Sequence, residues 1–425
     1  MNYFGTLRRF SLVWLTYWLI YFLQPVESIY LPIDTAWLVQ FLFFLMVFIT
    51  YIIGTLPLIQ VNGSASSRTD ENQLVGARKI IVFSLILSIL GLAFLIFDKA
   101  FIQGIDYSQG LAYARENWRQ QGEAREGAIS SLFSVLGYVL SGALFLALAL
   151  LPTKHVAISD FRRFLYFLIG ATCLVISSVI TGGRSSILLA LAIMSFGYFS
   201  SKERGSALFG KARYRWVIYT TGLILFVYTV YIFYTRAQST GISPAEYGIS
   251  FLYYLGLKPA AWFEAYSHTS NLGGVASILN LALAYLTHSI ATTAGVIQYS
   301  GEQGVVLFNY IVLIFSKLGL TPPPPDWFLS GRFISVPGGL YFQFGVLGVC
   351  VGAIALGLAS GFLIALSFRK RQSIFLFFLA SLLETILLLS PFLLAVDFLY
   401  FPILLLSGLI VIFFLSPLKS INNAK

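Results

Sequence analysis

The sequence predicts an all-α polytopic membrane protein with about ten transmembrane helices (ten to twelve) and a large, partly helical external loop. Three observations support this fold class. Hydrophobic residues make up 58% of the 425-residue chain and charged residues only 10%, whereas soluble proteins carry about 25% charged residues. The apolar residues form runs of about 20, the length of helix that crosses a bilayer. The loops between successive runs are alternately rich and poor in Lys and Arg.

Ten apolar runs are candidate spans, and an even number places both termini on the same side. The first run lacks a small-residue cleavage site, so we interpret it as a span and not as a removed signal peptide. The runs cover residues 10–26, 36–58, 80–97, 129–151, 164–181, 186–199, 216–235, 339–367, 374–394 and 399–416.

The positive charges orient these spans. Of the 27 Lys and Arg residues, 18 lie in the loops on the side of the termini and nine on the opposite side. Because Lys and Arg accumulate on cytoplasmic loops, we predict that both termini are cytoplasmic. Trp37 and Trp216 lie at span ends, as expected for residues of the membrane–water interface.

The spans divide the chain into three parts: helices one to seven in residues 1–235, an external loop in residues 236–338 and C-terminal helices in residues 339–425. The loop contains apolar stretches at 276–292 and 305–318 that would raise the count to twelve if they crossed the bilayer. Residues 269–316 hold no Lys or Arg, so a cytoplasmic turn there would lack its usual positive charge. We therefore predict interfacial or re-entrant helices.

Three arginines at span ends are candidate anion-binding residues. Arg184 lies between two spans, Arg236 follows a span, and Arg332 precedes one, each without an acidic residue within four positions. A guanidinium suits a phosphate because its rigid donors match the phosphate oxygens. Anchoring of each arginine to lipid headgroups is the alternative.

A proton acceptor is also expected on the external side. His268 and His288 are the candidates because histidine titrates near neutral pH, and Glu264 or Asp326 is the fallback. A hydrogen-bonded structural role is the alternative for each histidine. Glu384 is the only acidic residue clearly inside a predicted span, where it could relay protons or bond to a neighbouring helix.

Several functional classes lack their motifs. The chain has no phosphate-binding loop, no nucleophile elbow, no HExxH zinc motif and no DxD motif. Its three histidines and two cysteines are not spaced as zinc ligands. We therefore expect no metal and no cofactor, and a substrate that arrives already activated.

Short segments at corresponding places give the chain a resemblance to a known family. They are Gly182-Gly183-Arg184-Ser185 between two spans, Arg236 and Tyr253-Tyr254-Leu255-Gly256 in the loop, and Tyr341-Phe342-Gln343-Phe344-Gly345-Val346-Leu347-Gly348 at the start of the next span. With the overall topology, they resemble the O-antigen polymerases (Wzy-type oligosaccharide repeat-unit polymerases) and, more distantly, the O-antigen ligases. The chain departs from the family at Gln343, where many members have an acidic residue.

The resemblance implies a membrane glycosyltransferase of GT-C-like architecture in the bacterial inner membrane, with a periplasmic active site. Its donor and acceptor would be oligosaccharides on undecaprenyl diphosphate, and the acceptor hydroxyl would attack C1 of the donor sugar. Membrane lipids and a chain-length regulator are the other implied partners, and no nucleic acid is expected.

The candidate residues fit this chemistry. Arg184, Arg236 and Arg332 would stabilise the charge that grows on the departing diphosphate. Aromatic residues of the loop offer faces for sugars, or pack in the loop core: Tyr253, Tyr254, Trp262 and Trp327. Two other functions remain open: a ligase that transfers finished glycan to a lipid A core, and a flippase or other transporter of lipid-linked oligosaccharide. Transporters usually have broken helices with polar residues inside the bundle.

Overall fold

The computed structural model shows an all-α membrane protein. It describes residues 4–60, 71–108, 131–153, 158–181, 185–202, 233–238, 241–269, 271–299, 332–369, 373–397 and 400–415, with a few single positions between them. Thirteen α-helices are assigned within these ranges: α1 Gly5–Leu23, α2 Ile33–Gln60, α3 Glu71–Phe97, α4 Leu132–Leu150, α5 Asp160–Thr181, α6 Ser185–Lys202, α7 Pro244–Tyr254, α8 Ala261–Thr269, α9 Asn271–Thr287, α10 Ser289–Gln298, α11 Val336–Arg369, α12 Ile374–Leu389 and α13 Tyr400–Leu415.

Five segments are long and apolar enough to cross a membrane. They are Ile33–Ile59, Ala77–Ile102, Leu132–Leu150, Asp160–Thr181 and Val336–Phe368, and the bent pair α9–α10 would be a sixth. Shorter apolar helices lie at three further predicted spans, at Ser186–Ser200, Ile374–Leu389 and Phe401–Leu415. The predicted span 216–235 falls largely outside the described residues. The all-α membrane class is thus confirmed, whereas the count of ten spans stays a prediction.

Proline sets two helix ends that hydropathy placed too far along the chain. The first predicted span ran to residue 26, but α1 ends at Leu23, just before Pro25. The predicted span 374–394 likewise ends at Leu389, before Pro391. A proline disfavours helical conformation in the residue before it, and its ring cannot follow in a regular helix. Apolar residues beyond each proline therefore belong to connections.

Glycines allow the central helices to pack backbone to backbone. In the α2–α11 pair, a Cβ on Gly54 would lie 2.6 Å from the Leu358 carbonyl oxygen, and one on Gly361 would lie 2.2 Å from the Tyr51 carbonyl oxygen. No side chain fits in these places. Small residues at such contacts are typical of membrane helix packing, where van der Waals contact drives association.

Substituting Gly361 with alanine should therefore separate α2 from α11. We expect the free energy of unfolding to fall by about 1–3 kcal/mol, the usual cost of overpacking, as measured by denaturant unfolding in detergent. Gly274→Ala in α9 is the matched control, because its Cβ would meet nothing closer than 3.6 Å. Equal stability of the two variants would contradict this account of the interface.

Helix α11 is broken at a glycine within residues 341–348, one of the segments that resemble the O-antigen polymerases. Gly345 has φ 64° and ψ −160°, a backbone conformation that glycine adopts readily and other residues avoid. Gln343 lies just before the break, and its Oε1 accepts a hydrogen bond of 3.0 Å from the Leu307 amide. The position that departs from the family pattern therefore ties the start of α11 to the loop.

The predicted external segments meet at one end of the bundle. Strand β1 (Val26–Ser28) follows α1, and strand β2 (Leu257–Pro259) follows α7; the two pair antiparallel. Tyr107 donates a hydrogen bond to the Ile180 carbonyl at the end of α5. These contacts agree with the predicted alternation of loops, and the assignment of this end to the outside rests on the charge pattern.

The loop helices share a hydrophobic core with the first helix. Tyr17 and Tyr21 of α1 pack in one buried cluster with Leu252 of α7, Ile278 of α9 and Ile290 of α10. The loop between the seventh and eighth predicted spans is therefore folded against the bundle. This packing positions the residues of the candidate site.

Candidate functional site

Arg332 is held four residues before α11, at the end of the bundle that the charge pattern predicts to be external. Its Nη1 donates a hydrogen bond of 2.9 Å to the hydroxyl of Tyr30. Its guanidinium carbon lies 5.0 Å from the ring centroid of Tyr254, within the range of a cation–π contact. No carboxylate in the described ranges forms an ion pair with it. The arrangement orients a positive charge without neutralising it.

The neighbouring cation Lys258 is different. It stands opposite Glu27 in the β1–β2 ladder, and their charged atoms are 3.1 Å apart. Both side chains are well exposed, so the pair contributes about 0–1 kcal/mol. Lys258 therefore provides a matched control for the removal of a positive charge near Arg332.

His288 lies beside Arg332, but both of its ring nitrogens are already engaged. The side chain is 1% exposed. Its Nε2 accepts a hydrogen bond of 3.2 Å from the Phe333 amide, and Nδ1 lies 3.0 Å from the Tyr285 carbonyl oxygen. Because an amide only donates and a carbonyl only accepts, Nε2 must be bare and Nδ1 must carry the proton. This neutral imidazole ties the helix break to the segment before α11.

His268 and Glu264 lie on α8, away from Arg332. His268 is exposed and Glu264 is half-buried. Hydrogen bonds from Ser243, helped by the charge of His268, lower the pKa of the exposed carboxyl of Glu246. His268 is thus near the first turn of α7, whereas Tyr254 and Arg332 are at its last turn. Eight residues of helix separate these ends by about 12 Å.

Arg236 is half-buried and interacts with its surroundings. One turn earlier, Phe233 packs edge-on against Phe251 of α7 and Tyr285 of α9. The structure therefore places Arg236 beside the loop helices. Arg184, Asp326 and Trp327 lie outside the described residues, so their proposed roles stay predictions.

The aromatic residues predicted as sugar faces are at the surface. Tyr253 is 47% exposed, Tyr254 45% and Trp262 68%. Part of the Tyr254 surface is therefore left uncovered by the protein while its ring contacts Arg332. None of these three side chains is buried in the loop core, although the Tyr254 and Trp262 rings each contact a neighbouring phenylalanine.

The break between α9 and α10 lies in the stretch predicted to form interfacial or re-entrant helices, but its position was not predicted from the sequence. The two helices bend by 60°, and buried hydroxyls surround the bend. Tyr17 donates to the Thr287 carbonyl oxygen, and Ser289 donates to the Pro391 carbonyl oxygen. The signal that could have revealed it is the polar triplet Thr287-His288-Ser289 inside an apolar run.

Glu384 bonds to a neighbouring helix. Its Oε1 accepts from Arg9 Nε and its Oε2 from Arg9 Nη2, both at 2.8 Å, and Thr6 donates to Oε2 at 2.6 Å. The carboxylate is fully buried. Of the two roles considered for Glu384, the structure shows the hydrogen bond to a neighbouring helix. The Arg9–Glu384 pair joins α1 to α12.

The sequence suggested that Glu384 was the only acidic residue clearly inside a span, but the structure shows a second buried acidic residue in an apolar segment. Asp98, assigned to an external segment, is fully buried in the π-helical turn Asp98–Ile102 at the end of α3. It accepts hydrogen bonds from Gln103 Nε2 at 2.6 Å and from Ser131. The expectation was wrong because hydropathy ended the span at residue 97, before this polar turn.

Comparisons with protein-family models, with curated proteins and with solved structures found no match to this chain. The class that the structure itself defines is an all-α membrane protein. One end of its helix bundle presents an oriented arginine next to a broken helix pair.

Proposed function

We propose that this protein polymerises oligosaccharide repeat units carried on undecaprenyl diphosphate, and that it does so at the external end of the bundle. The observation that supports the proposal best is the environment of Arg332. Its guanidinium is held by the Tyr30 hydroxyl and the Tyr254 ring, and no carboxylate within the described ranges forms an ion pair with it. A fixed cation at the membrane–water boundary suits a lipid diphosphate.

The reaction is a glycosyl transfer. A hydroxyl at the non-reducing end of the acceptor unit attacks C1 of the donor sugar, and a base takes the hydroxyl proton. The bond between C1 and the diphosphate oxygen breaks, and its electron pair leaves with undecaprenyl diphosphate. Negative charge grows on that oxygen in the transition state. A preorganised guanidinium stabilises this charge more than it stabilises the bound donor, which accelerates the step.

The base is proposed to come from α8 and not from the helix break. His288 has no free ring nitrogen, because its Nε2 accepts from Phe333 and its Nδ1 donates to Tyr285. His268 is exposed, and Glu264 precedes it by one turn on the same helix. The attacking hydroxyl would lie between His268 and C1 of the donor sugar, and the diphosphate would extend from C1 along α7 towards Arg332.

Alanine substitution of the two histidines should separate these roles. His268→Ala should lower the rate of transfer by about 10²-fold or more, the usual contribution of a general base, with no loss of stability. His288→Ala should lower the melting temperature, because it removes the acceptor of the Phe333 amide and empties a buried position. Initial rates and thermal unfolding in detergent measure both effects. A normal rate for His268→Ala would transfer the role to Glu264.

The proposed function is tested by reconstitution in liposomes. The purified protein receives its undecaprenyl-diphosphate-linked repeat unit, and the products are separated on a gel. A ladder of products with release of undecaprenyl diphosphate supports polymerisation. Transfer of one preformed glycan to an added lipid A core, without a ladder, would show a ligase.

Transport is the second candidate, and a specific observation favours it. The α9–α10 pair is broken within an apolar segment, and polar side chains are buried around the break, as in many transporters. Gln40 of α2 is fully buried beside Tyr17, whose hydroxyl bonds to the Thr287 carbonyl oxygen at this break. Movement of labelled lipid-linked unit between leaflets, without a new glycosidic bond, would establish transport.

A further inference from the structure

Tyr30 lies near the N-terminus in sequence, yet its side chain contacts Arg332, and hydrogen bonds of its own backbone hold it in place. Ser28 Oγ donates to the Tyr30 carbonyl oxygen and accepts from the Tyr30 amide, each at 3.1 Å. The next residue back, Ile29, donates its amide to the Gly256 carbonyl oxygen at 3.1 Å. The main chain at Tyr30 is therefore fixed against the β1–β2 pair.

Two glycines make the slot that holds the Tyr30 ring. A Cβ on Gly256 would lie 2.6 Å from Tyr30 Cε2, and a Cβ on Gly295 of α10 would lie 2.9 Å from both Cε2 and Cζ. Carbon atoms do not approach so closely, so neither position accepts a side chain while the ring is in place. Gly256 also has φ +81°, a backbone conformation that residues with a side chain rarely adopt.

The slot determines where the phenol oxygen points. The ring is held between β2 and α10, and its hydroxyl accepts the Arg332 Nη1 hydrogen bond at 2.9 Å. The Tyr254 ring contacts the same guanidinium. A guanidinium has five N–H donors, and the bond to Tyr30 uses one of them. The contacts therefore fix the orientation of a side chain that is otherwise long and flexible.

We infer that Tyr30 is a positioning residue for Arg332, with its ring seated by Gly256 and Gly295. The inference rests on the proposed function, because it assigns Arg332 to the diphosphate of the donor. A catalytic cation must be held close to its productive geometry by neighbours that are themselves locked by packing. Tyr30 acts through Arg332 and needs no contact with the substrate.

Substitution of Tyr30 with phenylalanine tests this role, because it keeps the ring in the slot and removes only the acceptor. We expect kcat for the transfer to fall about tenfold while KM for the lipid-linked unit changes less than threefold. The reason is that a misaligned cation loses mainly transition-state stabilisation. Tyr231→Phe is the control, since it removes a phenol hydroxyl from an exposed side chain that is not part of this contact.

A double-mutant cycle separates positioning from a merely structural role. If Tyr30 acts through Arg332, then Tyr30→Phe should have no further effect on the rate in an Arg332→Ala background. If Tyr30 only supports the fold, the same tenfold loss should appear in both backgrounds. The additive result would overturn the inference and leave the proposed function standing.

Gly295→Ala provides a second test that leaves Tyr30 and Arg332 unchanged. Alanine is a better helix former than glycine, so a loss of rate would come from displacement of the Tyr30 ring. We expect about a tenfold loss in the wild-type background and none in the Arg332→Ala background. Gly274→Ala, with no close neighbour for its Cβ, should be neutral. A normal rate for Gly295→Ala would contradict the slot.

Binding of undecaprenyl diphosphate makes the test independent of turnover. The lipid, labelled with a fluorophore, is titrated into each purified variant in detergent. Tyr30→Phe should weaken binding of the lipid in the wild-type background and should have no effect on binding in the Arg332→Ala background. That result supports the inference even if the wild type forms no ladder and polymerisation is rejected. Unchanged binding together with additive rates, or unchanged binding with no turnover, overturns it.

Discussion

Replacing Arg332 with alanine is expected to lower the rate of glycan transfer by about 10²–10³-fold, the usual loss when one preorganised electrostatic donor is removed. In the proposed reaction, the guanidinium faces the charge that develops on the departing diphosphate. Arg332→Lys should give an intermediate rate, because it keeps the charge and loses the planar fork of donors. Initial rates of product formation in liposomes measure both variants.

The control for this prediction is Lys258→Ala. Lys258 lies at the same end of the bundle and its charge is already paired with Glu27, so its removal should change the rate by no more than about fivefold, the limit for an exposed ion pair. Circular dichroism and gel filtration check that each variant is folded. If the two substitutions reduce the rate equally, the effect is one of general surface charge, and the role assigned to Arg332 is wrong.

Replacing Glu384 with alanine is expected to destabilise the protein by about 3–5 kcal/mol. The change leaves the Arg9 guanidinium, 15% exposed, without its bidentate partner, and breaking a buried ion pair from one side is strongly unfavourable. Arg9 also contacts the Phe199 ring at 4.5 Å, so its position depends on three helices. Denaturant unfolding in detergent measures the effect.

The double variant Arg9→Met, Glu384→Leu distinguishes a structural pair from a functional one. Replacing both partners with apolar residues should recover most of the lost stability, because no charge is then left buried and unpaired. If the double variant is stable and transfers glycan normally, the pair only joins α1 to α12. A stable but inactive double variant would instead support the relay role considered for Glu384.

The candidate site was chosen from the sequence by residue type and position, and the roles of its residues stay predictions. Span-end position and the lack of acidic neighbours in the sequence were enough to select Arg332. Nothing in the local sequence indicated Tyr30, which lies 302 positions away. The two histidines were equivalent in the sequence, and only burial and hydrogen bonding separate the exposed His268 from the engaged His288.

Amino-acid composition, apolar runs and the placement of Lys and Arg determined the class of the protein, the approximate positions of most helices and the predicted orientation. They do so because the bilayer acts on each segment independently, through its length and polarity. The tertiary structure alone decided the Arg9–Glu384 pair and the Tyr30–Arg332 contact. These depend on which distant helices pack together, and glycines such as Gly295 and Gly361 permit that packing. Local hydropathy carries no information about such distances.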